Sequence, residues 1–148
     1  MRIMLDTNIF ISMIFFPSAQ TRELARRLTE SHQIVVCDYV IEELRLVTER
    51  KFPAKRKFLD RFFMELPFEL VYTPKELDLN EFPEMRDVKD SPILATAIME
   101  GIDVFLTGDK DFLVLDVETP EILTMKEFLE QKLKMNKCKV RRDRKSVV

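Results

Sequence analysis

Arg2-Ile3-Met4-Leu5-Asp6-Thr7-Asn8 opens the chain and decides how the rest is read. Ile3, Met4 and Leu5 form an apolar run that suits a buried strand and is too short for a helix. Asp6 ends the run, and Thr7-Asn8 turn the chain into a second apolar segment, Ile9 to Phe16. A carboxylate at the end of a buried strand is costly unless it is paired or holds a cation. In open α/β sheets, ligands bind in the crevice beyond the carboxyl ends of the strands. Fold and function both turn on whether other carboxylates reach that edge.

Outward from this stretch, helical and strand-like segments alternate. Ile9 to Phe16 reads as a short helix stopped by Pro17. Ser18 is an N-cap for a helix whose apolar face is Leu24, Ala25 and Leu28. Ile34-Val35-Val36 is a second buried strand, and Asp38 can cap a helix carrying Val40, Ile41, Leu44 and Val47. Pro53 fits the first turn of a fourth helix, with Phe58, Leu59, Phe62, Phe63 and Leu66 along one face. Phe68 to Val71 suits a third strand, and residues 74–90 read as a surface loop. Ser91-Pro92 starts a helix that Gly101 stops. Val104-Phe105-Leu106 is a fourth strand and Ile122-Leu123 a fifth. Thr124 and Glu127 have capping-box spacing for a last helix through Phe128, Leu129 and Leu133. Strands that are continuously apolar are covered on both faces. Their alternation with helices predicts an α/β sandwich on a mostly parallel sheet of about five strands.

The chain of 148 residues, 46% apolar and 34% charged, has the length of one domain with a real core. No apolar run approaches the roughly 18 residues of a membrane span. Asp6 and Asn8 interrupt the only signal-like stretch, so the expected location is the cytoplasm. Cys37 and Cys138 lack metal-ligand spacing, and His32 has no Cys or His partner nearby in sequence. This argues against structural zinc and against a Ser-His-Asp triad. Cys37 reads as a small core residue and His32 as part of a surface loop. The net charge of −2 hides an asymmetry. Residues 132–145 carry eight Lys/Arg against Asp143 alone, leaving 16 basic and 25 acidic residues in 1–131. The expected organisation is an acidic folded body over 1–131 with a basic, flexible tail over 132–148. An acidic body is not that of a passive nucleic-acid binder, but it suits carboxylates gathered around divalent cations.

Asp6 and Asp109 follow strands, so a parallel sheet brings both to one edge. Asp90 precedes a helix start, Glu42 and Glu43 lie early in the helix after the second strand, and Asp87 and Asp111 are close in sequence. Such a set suits metal-assisted phosphodiester hydrolysis. Mg²⁺ and Mn²⁺ take oxygen ligands, and two ions about 3.5–4 Å apart stabilise both attacking and leaving oxygens. No histidine is required when the cation activates water. Each carboxylate also has a structural alternative: Asp90 as a turn residue, Asp109 as turn chemistry after Gly108, Asp111 as a helix starter, and the two glutamates as a solvated face. Asp6 has the least other use. No phosphate-cradling glycine motif occurs.

These residues, taken together, resemble the PIN-domain ribonucleases. Ile3 to Ser12, with its Asp6-Thr7-Asn8, is similar to the family's first motif. Glu43-Leu44 is similar to the second, Asp87-Val88-Lys89-Asp90 leading into Leu94-Ala95 to the third, and Leu106-Thr107-Gly108-Asp109-Lys110-Asp111-Phe112 to the fourth. The match runs in order over roughly residues 1–130, and the nearest subgroup is the toxin components of toxin–antitoxin pairs. The resemblance implies a metal-dependent endoribonuclease. Mg²⁺ or Mn²⁺ would be held by Asp6, Asp90 and Asp109, with Glu43 assisting. Asn8 and Thr107 would orient the carboxylates by hydrogen bonds, and Asp111 would add acidity. Glu42 against Glu43, and Asp87 against Asp90, stay open. Family toxins are commonly homodimers neutralised by an antitoxin. Phe58, Phe62 and Phe63 suit either such an interface or the core. The basic tail suits RNA phosphates or simple solvation. Two other readings remain: a non-catalytic PIN-like scaffold binding RNA or protein, and an Asp-nucleophile phosphatase. The second usually wants an Asp where this chain has Asn8.

Overall fold

The expected buried strands form and pair in one five-stranded, wholly parallel sheet of order β3-β2-β1-β4-β5. The computed structural model describes residues 1–74, 91–115 and 117–131. The strands are β1 (Arg2–Leu5), β2 (Gln33–Cys37), β3 (Glu69–Val71), β4 (Val104–Leu106) and β5 (Glu121–Leu123). The helices are α1 (Thr7–Phe15), α2 (Ala19–Ser31), α3 (Asp38–Lys51), α4 (Arg56–Glu65), α5 (Ser91–Met99), α6 (Lys110–Leu113) and α7 (Met125–Glu130). Ile3, Met4, Leu5, Val35, Val36, Phe105 and Leu106 have no exposed surface, as strands covered on both faces must.

Local chemistry sets the helix ends. Ser18 accepts from the Thr21 N–H at 3.2 Å while the Thr21 hydroxyl accepts from the Ser18 N–H at 2.7 Å. Thr124 and Glu127 form the expected capping box at 3.0 and 3.3 Å. After α5, Gly101 adopts φ +64°. Its N–H donates to Ile98 O at 3.2 Å and that of Ile102 to Ala97 O at 3.0 Å, the paired bonds of a Schellman stop.

Several expectations are corrected. The sequence pattern runs directly from β4 to β5, but α6 intervenes; four residues are too few to show a helical period. Pro53 heads a 3-10 turn, Pro53–Lys55, that leads into α4 rather than starting it. Cys37, not Asp38, occupies the N-cap of α3. Phe62 and Phe63 pack with Phe10, at ring separations of 6.1 and 5.6 Å, whereas Phe58 is exposed. Leu59 is the residue of that turn that is buried, and Phe58 lies a hundred degrees round the helix from it. His32 is half-buried, with its ring edge on Phe128 at 5.7 Å. Cys37 is buried as expected. No helix among the described residues is long and apolar enough to cross a membrane. Cys138 and the basic tail lie outside the described residues.

The strand order matters most for function. From β1 the chain steps to β2 and β3, then returns to place β4 on the other flank of β1. The order therefore reverses between β1 and β4, and a crevice opens at such a switch point.

Candidate active site

Asp6 and Thr107 leave this switch point side by side. Leu5 pairs in register with Leu106, and each is followed by one of the two. The Asp6 N–H donates to Leu106 O at 2.9 Å, so the ladder continues one residue into the site. Asp6 is buried and caps α1, its Oδ1 accepting from the Thr7 N–H at 2.7 Å. Its Oδ2 accepts from the fully buried Thr107 hydroxyl at 2.8 Å. The same hydroxyl accepts from the Asp109 N–H at 3.0 Å. Thr107 thus joins the first carboxylate to the turn carrying the second.

Asp109 is half-buried and caps α6, its Oδ1 accepting from the Asp111 N–H at 2.9 Å. Asp111 itself is exposed and contributes that backbone donor. Glu43 is half-buried on α3, while Glu42 is exposed and lies 3.6 Å from Arg45. Geometry therefore separates the adjacent glutamates: Glu43 is the one turned toward Asp6.

Burial pushes the Asp6 carboxyl above its ordinary value. The Thr107 and Thr7 donors oppose that rise, and the Asp109 charge adds to it. Burial likewise raises Glu43, the Thr7 side chain offsets it in part, and the Asp6 charge adds to the rise. Asp6 thus interacts with the charges of Asp109 and Glu43, and its ionised form is held against both burial and repulsion.

Two residues that the sequence pattern does not place in the site belong to this edge. Thr7 is buried, and its Oγ1 makes no hydrogen bond of normal geometry among the described residues, although it lies close enough to Glu43 to favour the charged carboxylate. Asp38, just past the end of β2, accepts from the Tyr39 N–H at 2.9 Å, the Thr73 N–H at 2.7 Å and the Thr73 hydroxyl at 2.8 Å. Burial pushes Asp38 up, but these donors prevail and hold it below the usual carboxylate range. The signal for Asp38 is the same as that for Asp6, an apolar run ending in Asp. The two differ in their surroundings: three donors outweigh burial at Asp38, whereas at Asp6 burial and the Asp109 charge outweigh the Thr7 and Thr107 donors.

Asn8 is exposed and makes no side-chain hydrogen bond among the described residues, so it does not orient Asp6 there as Thr107 does. Asp87 and Asp90 lie outside the described residues. Among the described residues, no three Asp, Glu, His or Cys side chains form a group able to hold a metal ion. The donor set nevertheless fits a hard divalent cation. Asp6, Glu43 and Asp109 offer only oxygen, and an orphaned hydroxyl lies beside two carboxylates whose charge burial disfavours.

A PIN-domain family profile matches residues 3–118. The chain belongs to the PIN domain family. The match spans every strand but β5, and both acidic turns of the switch point. Among solved structures, this PIN domain is similar to "VapBC2 from Rickettsia felis bound to a DNA fragment from their promoter". The TM-score is 0.67 at 20% identity, over 84% of this chain and 98% of that one. At that identity the likeness speaks to the fold. A comparison with curated proteins finds no significant match.

Proposed function

We propose that this PIN domain is a metal-dependent endoribonuclease, hydrolysing RNA phosphodiester bonds with Mg²⁺ or Mn²⁺. The observation that carries this is Asp6: buried, oriented by Thr107, and flanked by the charges of Glu43 and Asp109. Asp6, Glu43 and Asp109, with Asp90 from outside the described residues, are the groups assigned to hold the cation. When bound, a divalent cation supplies the positive charge that a scissile phosphate and an attacking water require. Thr107 fixes the Asp6 carboxylate in one orientation and keeps the Asp109 turn at a constant distance from it. Burial keeps the carboxylates partly dry, so opposite charge is worth more to them than in bulk water. The proposal extends to a toxin of a toxin–antitoxin pair, homodimeric and acting in the cytoplasm, with an antitoxin protein as partner; its support is the family membership and the shared fold with VapBC2.

The test compares wild type with Asp6→Asn. Asparagine keeps a capping oxygen for α1. Removing a charge that burial disfavours offsets part of the cost of replacing the Oδ2 that accepts from Thr107, so the metal-free variant is expected to fold. Mn²⁺ binding by calorimetry and cleavage of RNA are both expected to vanish. A variant that cuts RNA at the wild-type rate would overturn the assignment. Absence of Mn²⁺ binding in the wild type would favour the non-catalytic scaffold.

A further inference from the structure

The body of the chain is acidic, yet its cations are not spread evenly. Residues 45–61 hold seven Lys/Arg against Glu49 and Asp60, while the rest of 1–131 holds nine against 23 acids. This stretch is the corner where α3 ends, the 3-10 turn follows and α4 begins, and the three pieces pack on one another. Arg45 and Arg56 line one shallow notch between α3 and α4, together with Thr48, Glu49, Leu59 and Asp60. Arg50, Lys51, Arg56, Lys57 and Arg61 are exposed and Lys55 is half-buried. None of these six forms an ion pair among the described residues, and neither do the scattered Arg22, Lys110 and Lys126, whereas Arg2, Arg26, Arg27 and, within the corner, Arg45 do.

Fold stability explains only part of this. Arg50 and Lys51 close α3, where the helix dipole favours cations. Lys55, Arg56 and Lys57 sit at the start of α4, where it disfavours them, and α4 has no side-chain cap. Aromatic surface lies among the charges. Phe52, directly after Lys51, stacks on Phe15 at 4.8 Å and meets Phe16 edge-on at 5.8 Å. Phe16 and Phe58 are 58% and 57% exposed, large apolar faces beside cations. Unpaired cations interleaved with exposed rings are the composition of single-strand nucleic-acid surfaces.

We infer that the α3–α4 corner is the surface that holds single-stranded RNA, by gripping phosphates and stacking bases. The inference deepens the nuclease reading and rests on it for the identity of the strand. Glu43 and Lys51 share one helix and stand eight residues apart, about 12 Å of rise. A strand entering the carboxylate site can therefore lay its neighbouring phosphates on this corner.

The test is fluorescence anisotropy of a labelled single-stranded RNA with the full chain, in chelator, over a series of salt concentrations. The probe protein is the quadruple variant Lys51→Gln, Arg56→Gln, Lys57→Gln, Arg61→Gln. Every phosphate of a single strand that is no longer neutralised by a cation lowers the log–log salt slope by about 0.7, so the variant's slope is expected to fall by about 2–3. Its affinity at moderate salt is expected to fall at least tenfold, and Phe58→Ala alone to cost about fivefold. Mn²⁺ affinity by calorimetry and the circular dichroism spectrum should match wild type, which separates a damaged surface from a damaged fold. Unchanged affinity and slope in the quadruple variant would overturn the inference, as would absence of RNA binding by the wild type. If the wild type binds RNA through this corner but does not cut it with Mn²⁺, the nuclease reading fails and the surface stands.

Discussion

Replacing Thr107 with valine removes one hydroxyl and keeps the shape. In the fully buried Thr107 that hydroxyl donates to Asp6 Oδ2 at 2.8 Å and accepts from the Asp109 N–H at 3.0 Å. A hydrogen bond to an ionised group contributes about 1.5–3 kcal/mol, and one between neutral groups about 1 kcal/mol. The variant should therefore be about 3 kcal/mol less stable at pH 7 in the absence of metal. For a chain of this size that lowers Tm by roughly 6–12 °C. The penalty should also depend on pH. Burial raises Asp6, and the Thr107 bond is what most opposes the rise. Without it the folded value climbs further. An acid with a raised folded value favours the fold when protonated and loses that stability as pH climbs through the raised value. The variant's penalty is thus about 2 kcal/mol in acid, where both proteins carry protonated Asp6, and grows to about 3 kcal/mol toward neutrality. Urea denaturation in chelator at a series of pH values measures it, with Thr107→Ser as the control that restores the hydroxyl. A penalty that is flat with pH, or that serine does not relieve, would refute the role given to this bond.

The adjacent glutamates give a paired test. Glu43→Gln should weaken Mn²⁺ binding by about tenfold or more, one charge beside the cation being worth over 1 kcal/mol in a half-buried site, while Glu42→Gln changes it less than twofold; calorimetry reads both. Asp38→Ala should cost about 2 kcal/mol at pH 7 by losing its bonds from Tyr39 and Thr73. Because Asp38 is held low, its stability is present above the unfolded value and is lost as pH falls through the folded one, so this penalty also shrinks in acid. Gly101→Ala should cost roughly 1 kcal/mol in thermal unfolding: φ is +64° there and nothing lies within 4 Å of an added Cβ, so the cost is backbone strain alone.

Much of the site is visible along the chain because its parts are local. An apolar run that stops at a polar turn marks a strand end, and Asp6, directly after its run, and Asp109, in the Thr107-Gly108-Asp109 turn, stand out in that way. What such a pattern does not carry is the partner of each carboxylate. Asp38 ends a run just as Asp6 does, yet Thr73, 35 residues away, gives it two donors and holds it low. Thr7 reads as part of a motif without a role, since burial of a hydroxyl without a partner depends on everything packed around it. Helix α6 escapes the sequence pattern because four residues have no period, and its cap, Asp109, is equally legible as a group for chemistry.

By itself the sequence determined most of the elements and several of their ends. Three-residue apolar runs make the strands, Ser18 and Thr124 start helices, and Gly101 stops one, because backbone preferences and caps act over a few residues. Tertiary structure alone decided the meetings. The return of the chain past β1 makes β4 its neighbour, and the Leu5–Leu106 register then brings Thr107 to Asp6 across 101 residues. The packing of α3 turns Glu43 inward and leaves Glu42 with Arg45 in solvent. Sheet order and register arise from the burial of whole faces, a property of all the elements together and of none of them singly.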